Sequence, residues 1–226
     1  MNGTYEKFLT LPLFQGLGKN ELMELVGQTR FDFLKVVKGT IIVKEHERSE
    51  RLFFLQNGIL QQEHFSDNHS YSFKEYLSAP TVIEPERLLG LYQHYANTYQ
   101  AMNECHLIAI NKQEALNIVN KYTVFRYNLM GLIATKAQRL SMQVWHNTCP
   151  TTEQRLIRFV KQHCSTPTGH KILHIKMATL AEEINDSRLS VSQVLRQWNT
   201  SHLVELKRGY IIIPSFETLL RLKVYR

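Results

Sequence analysis

Cysteine is scarce in this 226-residue chain. The three present, Cys105, Cys149 and Cys164, stand too far apart for a disulfide framework or a Cys-x-x-Cys metal knuckle. No apolar run approaches the roughly 18–20 residues of a membrane span. Residues 1–7 lack the charged-then-apolar pattern of a secretion signal. An HxH pair, an HExxH helix, a nucleophile elbow and a Walker loop are also missing. His64 and His69 lie five apart around an expected turn, which is poor ligand geometry, so an enzyme built on a metal-binding β-roll is not expected. What is there is 43% apolar residues, enough to bury a sizeable core. The length suits one large or two small domains, and a cytoplasmic location without a membrane partner is expected.

Charge is divided unevenly. Residues 1–110 hold 10 Lys+Arg and 13 Asp+Glu, a net of −3, whereas residues 111–226 hold 17 and 7, a net of +10. A strongly basic half joined to a mildly acidic one suggests a polyanion-binding module attached to something else. An inert basic surface would look the same, so charge needs a second signal.

The first third reads as short strands. Residues 36–43 are β-rich around Gly39, residues 51–60 form two apolar runs around Asn57-Gly58, a hairpin signal, and residues 106–110 are another strand candidate. Turn residues recur at short intervals, as in an all-β sandwich or roll. A helix near residues 21–27, with Leu22, Leu25 and Val26 on one face, is expected before them. From about 112 to 146 the pattern turns helical, with no proline and a single glycine, Gly131. Met130, Ile133, Ala137, Leu140 and Val144 recur at spacings of 3, 4, 3 and 4, a coiled-coil seam. Such a helix, on the order of 50 Å long, could pack within the monomer or pair with a second copy. Self-pairing is favoured, because a long helix between two small domains has little of its own chain to lie on. Residues 147–150 end it, and Thr151 with Gln154 offers a capping box for a helix carrying Leu156, Ile157, Val160 and Cys164.

Residues 176–198 carry the strongest functional signal. One short helix, 178–184, buries Leu180, Ala181 and Ile184; a turn of Asn185, Asp186 and Ser187 follows; a second helix, 188–198, buries Val191, Val194, Leu195 and Trp198. Two short helices joined by a three- to four-residue turn make a helix-turn-helix. Small Ala181 lets the helices cross closely, Asn185 suits a left-handed turn position, and Ser187 can cap the second helix. With the apolar residues turned in, Arg188, Ser192, Gln193 and Arg196 face out. Such a helix presents its N-terminal residues to base edges in the major groove. Arg188 is suited to guanine O6/N7 and Gln193 to adenine N6/N7, while Ser187, Ser190, Ser192 and Arg196 suit phosphates or secondary contacts. Residues 203–213 then read as strand, basic turn, strand, a wing whose Lys207 and Arg208 can touch phosphates. Double-stranded DNA is the expected partner.

These residues resemble those of the Crp/Fnr family of bacterial transcription regulators. Leu11-Pro12-Leu13-Phe14-Gln15-Gly16-Leu17 matches the family's opening; residues 38–42 and 52–58 match its β-roll; residues 180–188, running into Val191 and Val194-Leu195, are the best match. The resemblance implies an α+β fold with three parts: an N-terminal antiparallel, jelly-roll-like β-roll of the cyclic-nucleotide-binding type, a long dimerisation helix, and a C-terminal winged helix-turn-helix. The domains would be 1–147, including that helix, and 148–226. It also implies a homodimer on an inverted-repeat operator, contact with RNA polymerase, and a small-molecule effector. The family's base-reading arginine falls on Arg188. Its next reading position, often glutamate, falls on Leu189, and a further one falls on Gln193, so a different operator sequence is expected. Cyclic-nucleotide binders of the family place Gly-Glu and then Arg-Ser in the sensor pocket; here the matching stretches are residues 82–86 and 95–98, and no Lys or Arg lies between Arg87 and Lys112. Without a cation for the phosphate, cyclic AMP is not expected as effector. The iron–sulfur branch needs N-terminal cysteines and the first here is Cys105, while none of the ten histidines stands out as a haem ligand. No cofactor is expected.

Overall fold

The computed structural model describes residues 7–145, 149 and 151–221. The chain divides into two compact units, Met1–Gln61 with Leu77–Met142, and Gln62–Tyr76 with Gln143–Arg226.

In the first unit, α1 (Lys19–Gln28) buries Leu22 and Leu25, the face its spacing indicates. The strands up to Asn111 are β1 (Asp32–Val36), β2 (Ile41–Val43), β3 (Arg51–Asn57), β4 (Ile59–Phe65), β5 (Ser72–Ser78), β6 (Thr81–Val82), β7 (Thr98–Ala101) and β8 (Cys105–Asn111), of which most of β4 and β5 belongs to the second unit. One antiparallel sheet has the order β1-β8-β3-β6, while β4 lies between β5 and β7, with β2 beyond. Strand alternation explains the apolar runs. Leu52, Phe54, Ile108 and Ile110 pack under the helices, while Phe53, Leu55, Leu107 and Ala109 fill the space between the sheets. A strand buried on both faces reads as continuous apolar sequence.

The Asn57-Gly58 signal is not a hairpin. β3 and β4 belong to different sheets, and Gly58 is the corner where the chain changes sheet. Its φ is +104°, and a Cβ there would lie 2.5 Å from Cys105 Sγ and 2.8 Å from the Glu104 carbonyl oxygen. The glycine is required by close approach at a corner, not by a two-residue turn.

The single helix expected over 112–146 is two. α2 (Lys112–Lys121) is capped by Asn111, whose side chain accepts the Glu114 N–H, and α3 (Thr123–Trp145) follows after Tyr122. Tyr122 has extended backbone (φ −107°, ψ 106°), and its N–H donates to the Ile118 carbonyl. The break left no trace in the periodicity. Ala115, Ile118, Tyr122, Phe125 and Leu129 are all buried, at spacings of 3, 4, 3 and 4 that run straight through it. Beyond Leu129 the burial ends: Met130 and Leu140 are 56% and 55% exposed, and Ala137 is exposed, while Ile133 still touches the core. The side chain of Val144 and, apart from Cys149, the helix end expected at 147–150 lie outside the described residues.

The second unit holds α4 (Thr152–His163), β9 (Lys171–His174), α5 (Met177–Glu183), α6 (Arg188–Thr200), β10 (Glu205–Lys207), β11 (Tyr210–Ile213) and α7 (Phe216–Arg221). Thr151 caps α4 by accepting the Gln154 N–H, but the reciprocal half of the expected capping box does not form: among the described residues Gln154 Oε1 has no hydrogen-bond partner. Leu156, Ile157, Phe159 and Val160 enter a core shared with Leu180, Val191, Leu195, Trp198 and Ile211. Cys164 lies just past α4, and burial pushes its thiol up to about 11, so it stays protonated near neutral pH. Residues 62–76 were expected in the sensor domain, yet this hairpin packs with the second unit. β5 pairs antiparallel with β9, Phe73 opposite Leu173 and Glu75 opposite Lys171, so the strands run β10-β11-β9-β5.

Aromatic and histidine side chains line that junction. Tyr71 OH lies 3.1 Å from His163 Nε2, and His163 Nδ1 lies 2.7 Å from the Phe159 carbonyl oxygen. The carbonyl requires a proton on Nδ1, so Nε2 of the neutral ring accepts from Tyr71. Burial lowers the pKa of His163; the carbonyl and Glu183 act against this and His64 acts with it. Burial likewise lowers His170 and His174, stacked on Tyr76 and Tyr210. As pH falls below the ordinary histidine value near 6.5, the unfolded chain takes up protons before the folded one does. The contribution of these rings is therefore complete above that value and declines as pH falls toward the lowered pKa values. The urea midpoint of the second unit is expected to be lower at pH 5.5 than at pH 7.5, and less so in His163→Gln; equal drops in both proteins would exclude His163 as a source.

Candidate nucleic-acid interface

The two helices α5 and α6 are held by short-range chemistry. Asn185 takes the left-handed conformation (φ +52°), as its place in the turn suggested. The Asp186 N–H donates to the Ala181 carbonyl (3.0 Å), and Ala181 is buried at the crossing. Ser187 caps α6: its Oγ accepts the Ser190 N–H (3.0 Å) and lies 2.7 Å from Ser190 Oγ. Asp186 ties the turn to α4. Its carboxylate accepts from Thr152 Oγ1 (2.7 Å) and from the Ser187 N–H (2.7 Å), and Arg155 lies 3.4 Å away; these hold its pKa below the usual range. Arg155 also donates to the Asn185 carbonyl (2.7 Å).

α6 begins at Arg188 and runs two residues past the expected end. Val191, Leu195 and Trp198 are buried and Val194 packs at their edge. Arg188, Gln193 and Arg196 are exposed on the opposite face, with Ser190 and Ser192 half-buried between them. The hydroxyls of Ser187 and Ser190 are engaged with each other in the cap. Lys207 and Arg208 are exposed at the turn between β10 and β11, where Gly209 has φ +87°. The Leu206 N–H donates to Asn199 Oδ1 (3.0 Å), which fixes this wing to the end of α6. Leu189, on which the resemblance places a reading position, was not among the outward residues read from periodicity, yet it is 69% exposed in the first turn of α6. Its signal was present, an apolar residue off the buried stripe.

The sensor stretch is organised around Glu84. This residue is buried, with φ +38°. Its carboxylate accepts the Ala96 N–H (2.7 Å), the Asn97 side-chain amide and Tyr99 OH (3.2 Å), and Arg87 Nε lies 3.6 Å away. Glu84, in the matching stretch 82–86, is thus bound by Ala96 and Asn97, in the matching stretch 95–98, and by Tyr99 just beyond it. Among the described residues, no group of three or more His, Cys, Asp or Glu is placed to hold a metal ion, and no helix is long and apolar enough to cross a membrane.

Residues 154–222 match the family described as Crp-like helix-turn-helix domain. The C-terminal segment thus resembles a Crp-like helix-turn-helix domain. Solved structures extend the likeness in fold to the whole chain. A protein of Eubacterium rectale described as a transcriptional regulator of the Crp/Fnr family is 21% identical, covers 94% of this chain and 99% of its own, and superposes with a TM-score of 0.55. The Catabolite Activator Protein of Thermus thermophilus is 18% identical, with 94% and 98% covered and a TM-score of 0.54. The sensor domain of the transcriptional regulator DNR from Pseudomonas aeruginosa is 16% identical, covering 66% of this chain and 97% of its own, with a TM-score of 0.52. No curated protein matches the chain. The fold is therefore that of Crp/Fnr-type regulators, a mixed α+β chain whose antiparallel sheets precede the Crp-like domain.

Proposed function

We propose that this chain is a homodimeric transcription regulator that binds an inverted-repeat operator through α6. The observation that carries this reading is the single exposed face of Arg188, Gln193 and Arg196 on a helix that is capped and packed on its other side, beside a basic wing. Arg188 and Gln193 read bases; Ser187, Ser190, Ser192, Arg196, Lys207 and Arg208 approach phosphates or make secondary contacts. The exposed Met130, Ala137 and Leu140 on α3, together with half-buried Ile133, support pairing with a second copy. Two recognition helices would then meet half-sites about 34 Å apart. The effector, if one acts, is not cyclic AMP held in the usual family manner, since the Glu84 carboxylate is already satisfied by Ala96, Asn97 and Tyr99. A cytoplasmic location and contact with RNA polymerase belong to the same reading.

The test begins with operators selected from a random duplex pool. Affinity should fall steeply with salt as phosphate contacts release counterions, and adding cyclic AMP should leave it unchanged. Arg188→Ala should lose about 1–3 kcal/mol, a factor of roughly 5 to 150, and relax choice at one base pair per half-site. Wild-type affinity and selectivity in that variant would remove Arg188 from the interface. Leu140→Glu should shift the protein from dimer to monomer by light scattering and weaken binding to a full inverted repeat far more than to a single half-site. A dimer of undiminished stability would place the pairing elsewhere.

A further inference from the structure

Among the described residues of the second unit, Leu189 is the one large apolar side chain that stands exposed, at 69%. It lies in the first turn of α6, between the cap residue Ser187 and the half-buried Ser192 and exposed Gln193, and next to Arg188. An isolated exposed leucine is ordinary on a protein surface. This one occupies a position from which a side chain reaches base edges, and every other exposed side chain around it is polar or cationic. A leucine offers no hydrogen bond, so it cannot read a donor or acceptor. The major groove carries one apolar feature on its base edges, the C5-methyl group of thymine.

We infer that Leu189 is a specificity-determining residue that packs against a thymine methyl in each half-site. The inference rests on the DNA-binding reading of α6. Arg188 and Leu189 are neighbours in the first turn of α6, so the thymine is expected close to the guanine that Arg188 reads. A charged or amide side chain at this place would select a different base. The leucine instead favours thymine over cytosine there, because cytosine lacks the C5-methyl group.

The experiment uses the full-length protein and the operator selected by the wild type. Each thymine is replaced singly by deoxyuridine, which removes the methyl and leaves pairing and hydrogen-bonding edges intact. The expected result is one symmetry-related thymine position at which the replacement weakens wild-type binding about fourfold per half-site, the worth of one buried methyl group. Leu189→Ala should bind thymine and deoxyuridine operators equally at that position and keep its salt dependence. Because Leu189 is exposed, this variant should unfold at the wild-type urea midpoint. Wild-type binding that is insensitive to every methyl removal overturns the inference and leaves DNA binding by α6 standing, as does discrimination that persists unchanged in Leu189→Ala. A wild-type protein that selects no duplex overturns both.

Discussion

Lys171→Met should destabilise the second unit by roughly 3–5 kcal/mol, the usual loss when one partner of a buried ion pair is removed. Lys171 and Glu75 are 1% and 2% exposed in their side chains, with Nζ 2.6 Å from Oε2. Thr166 Oγ1 lies 3.0 Å from the ammonium, and the Ser165 N–H donates to Glu75 Oε1 (2.6 Å). Loss of the ammonium leaves a carboxylate with no cation, in a place where water cannot reach it. The second substitution is chosen to isolate that effect. Glu75→Gln keeps an acceptor for Ser165 and removes the charge. Lys171→Met with Glu75→Gln should therefore recover a substantial part of what Lys171→Met alone loses, as read from urea midpoints. If the two changes add without coupling, the pair is not what holds the junction. Limited proteolysis gives a second reading. The pair lies on the β5–β9 seam, so Lys171→Met should expose the 62–76 hairpin to cleavage while the first unit stays resistant.

Phe14→Ala should take about 3–5 kcal/mol from the first unit. Phe14 is fully buried, and its ring centroid lies 5.2 Å from that of Phe8, 5.2 Å from Phe54 and 5.1 Å from Phe125, in edge-on or tilted contacts. Its neighbours come from the N-terminal segment, from β3 and from α3, so truncation opens a cavity among three parts of the chain at once. Backbone in three elements cannot all move in to fill it, which places the loss toward the upper end of that range. A fall in the denaturation midpoint worth less than about 1 kcal/mol would mean that the ring is not the packing centre the geometry describes. Cleavage in the second unit should not change.

Legibility followed the reach of the interactions. The caps at Thr151 and Ser187 and the turn at Asn185 were read correctly, though not the return bond from Gln154, because a cap or a left-handed turn is settled by residues within three or four positions. The buried faces of α1, α4 and α6 followed from 3.6-residue periodicity. The same rule failed at Tyr122, where an extended residue interrupts the helix without disturbing the spacing of its apolar side chains. The Asn-Gly hairpin rule failed at Gly58, because a corner between two sheets and a two-residue hairpin use the same pair. Leu189 was visible as an apolar residue off the buried stripe, but only its exposure separated it from the core.

By itself the sequence determined the helix-turn-helix, its outward Arg188 and Gln193, the wing turn at Lys207 and Arg208, and the uneven division of charge, because each is set by residues a few positions apart or by a simple count. Tertiary structure alone decided that residues 62–76 fold with the second unit, that Glu84 is satisfied by residues 12 to 15 positions away, and that Lys171 is neutralised by a carboxylate 96 positions away. Periodicity and composition carry no record of pairings at such separations. Those contacts exist only once the strands have found their register and water has been driven from between them.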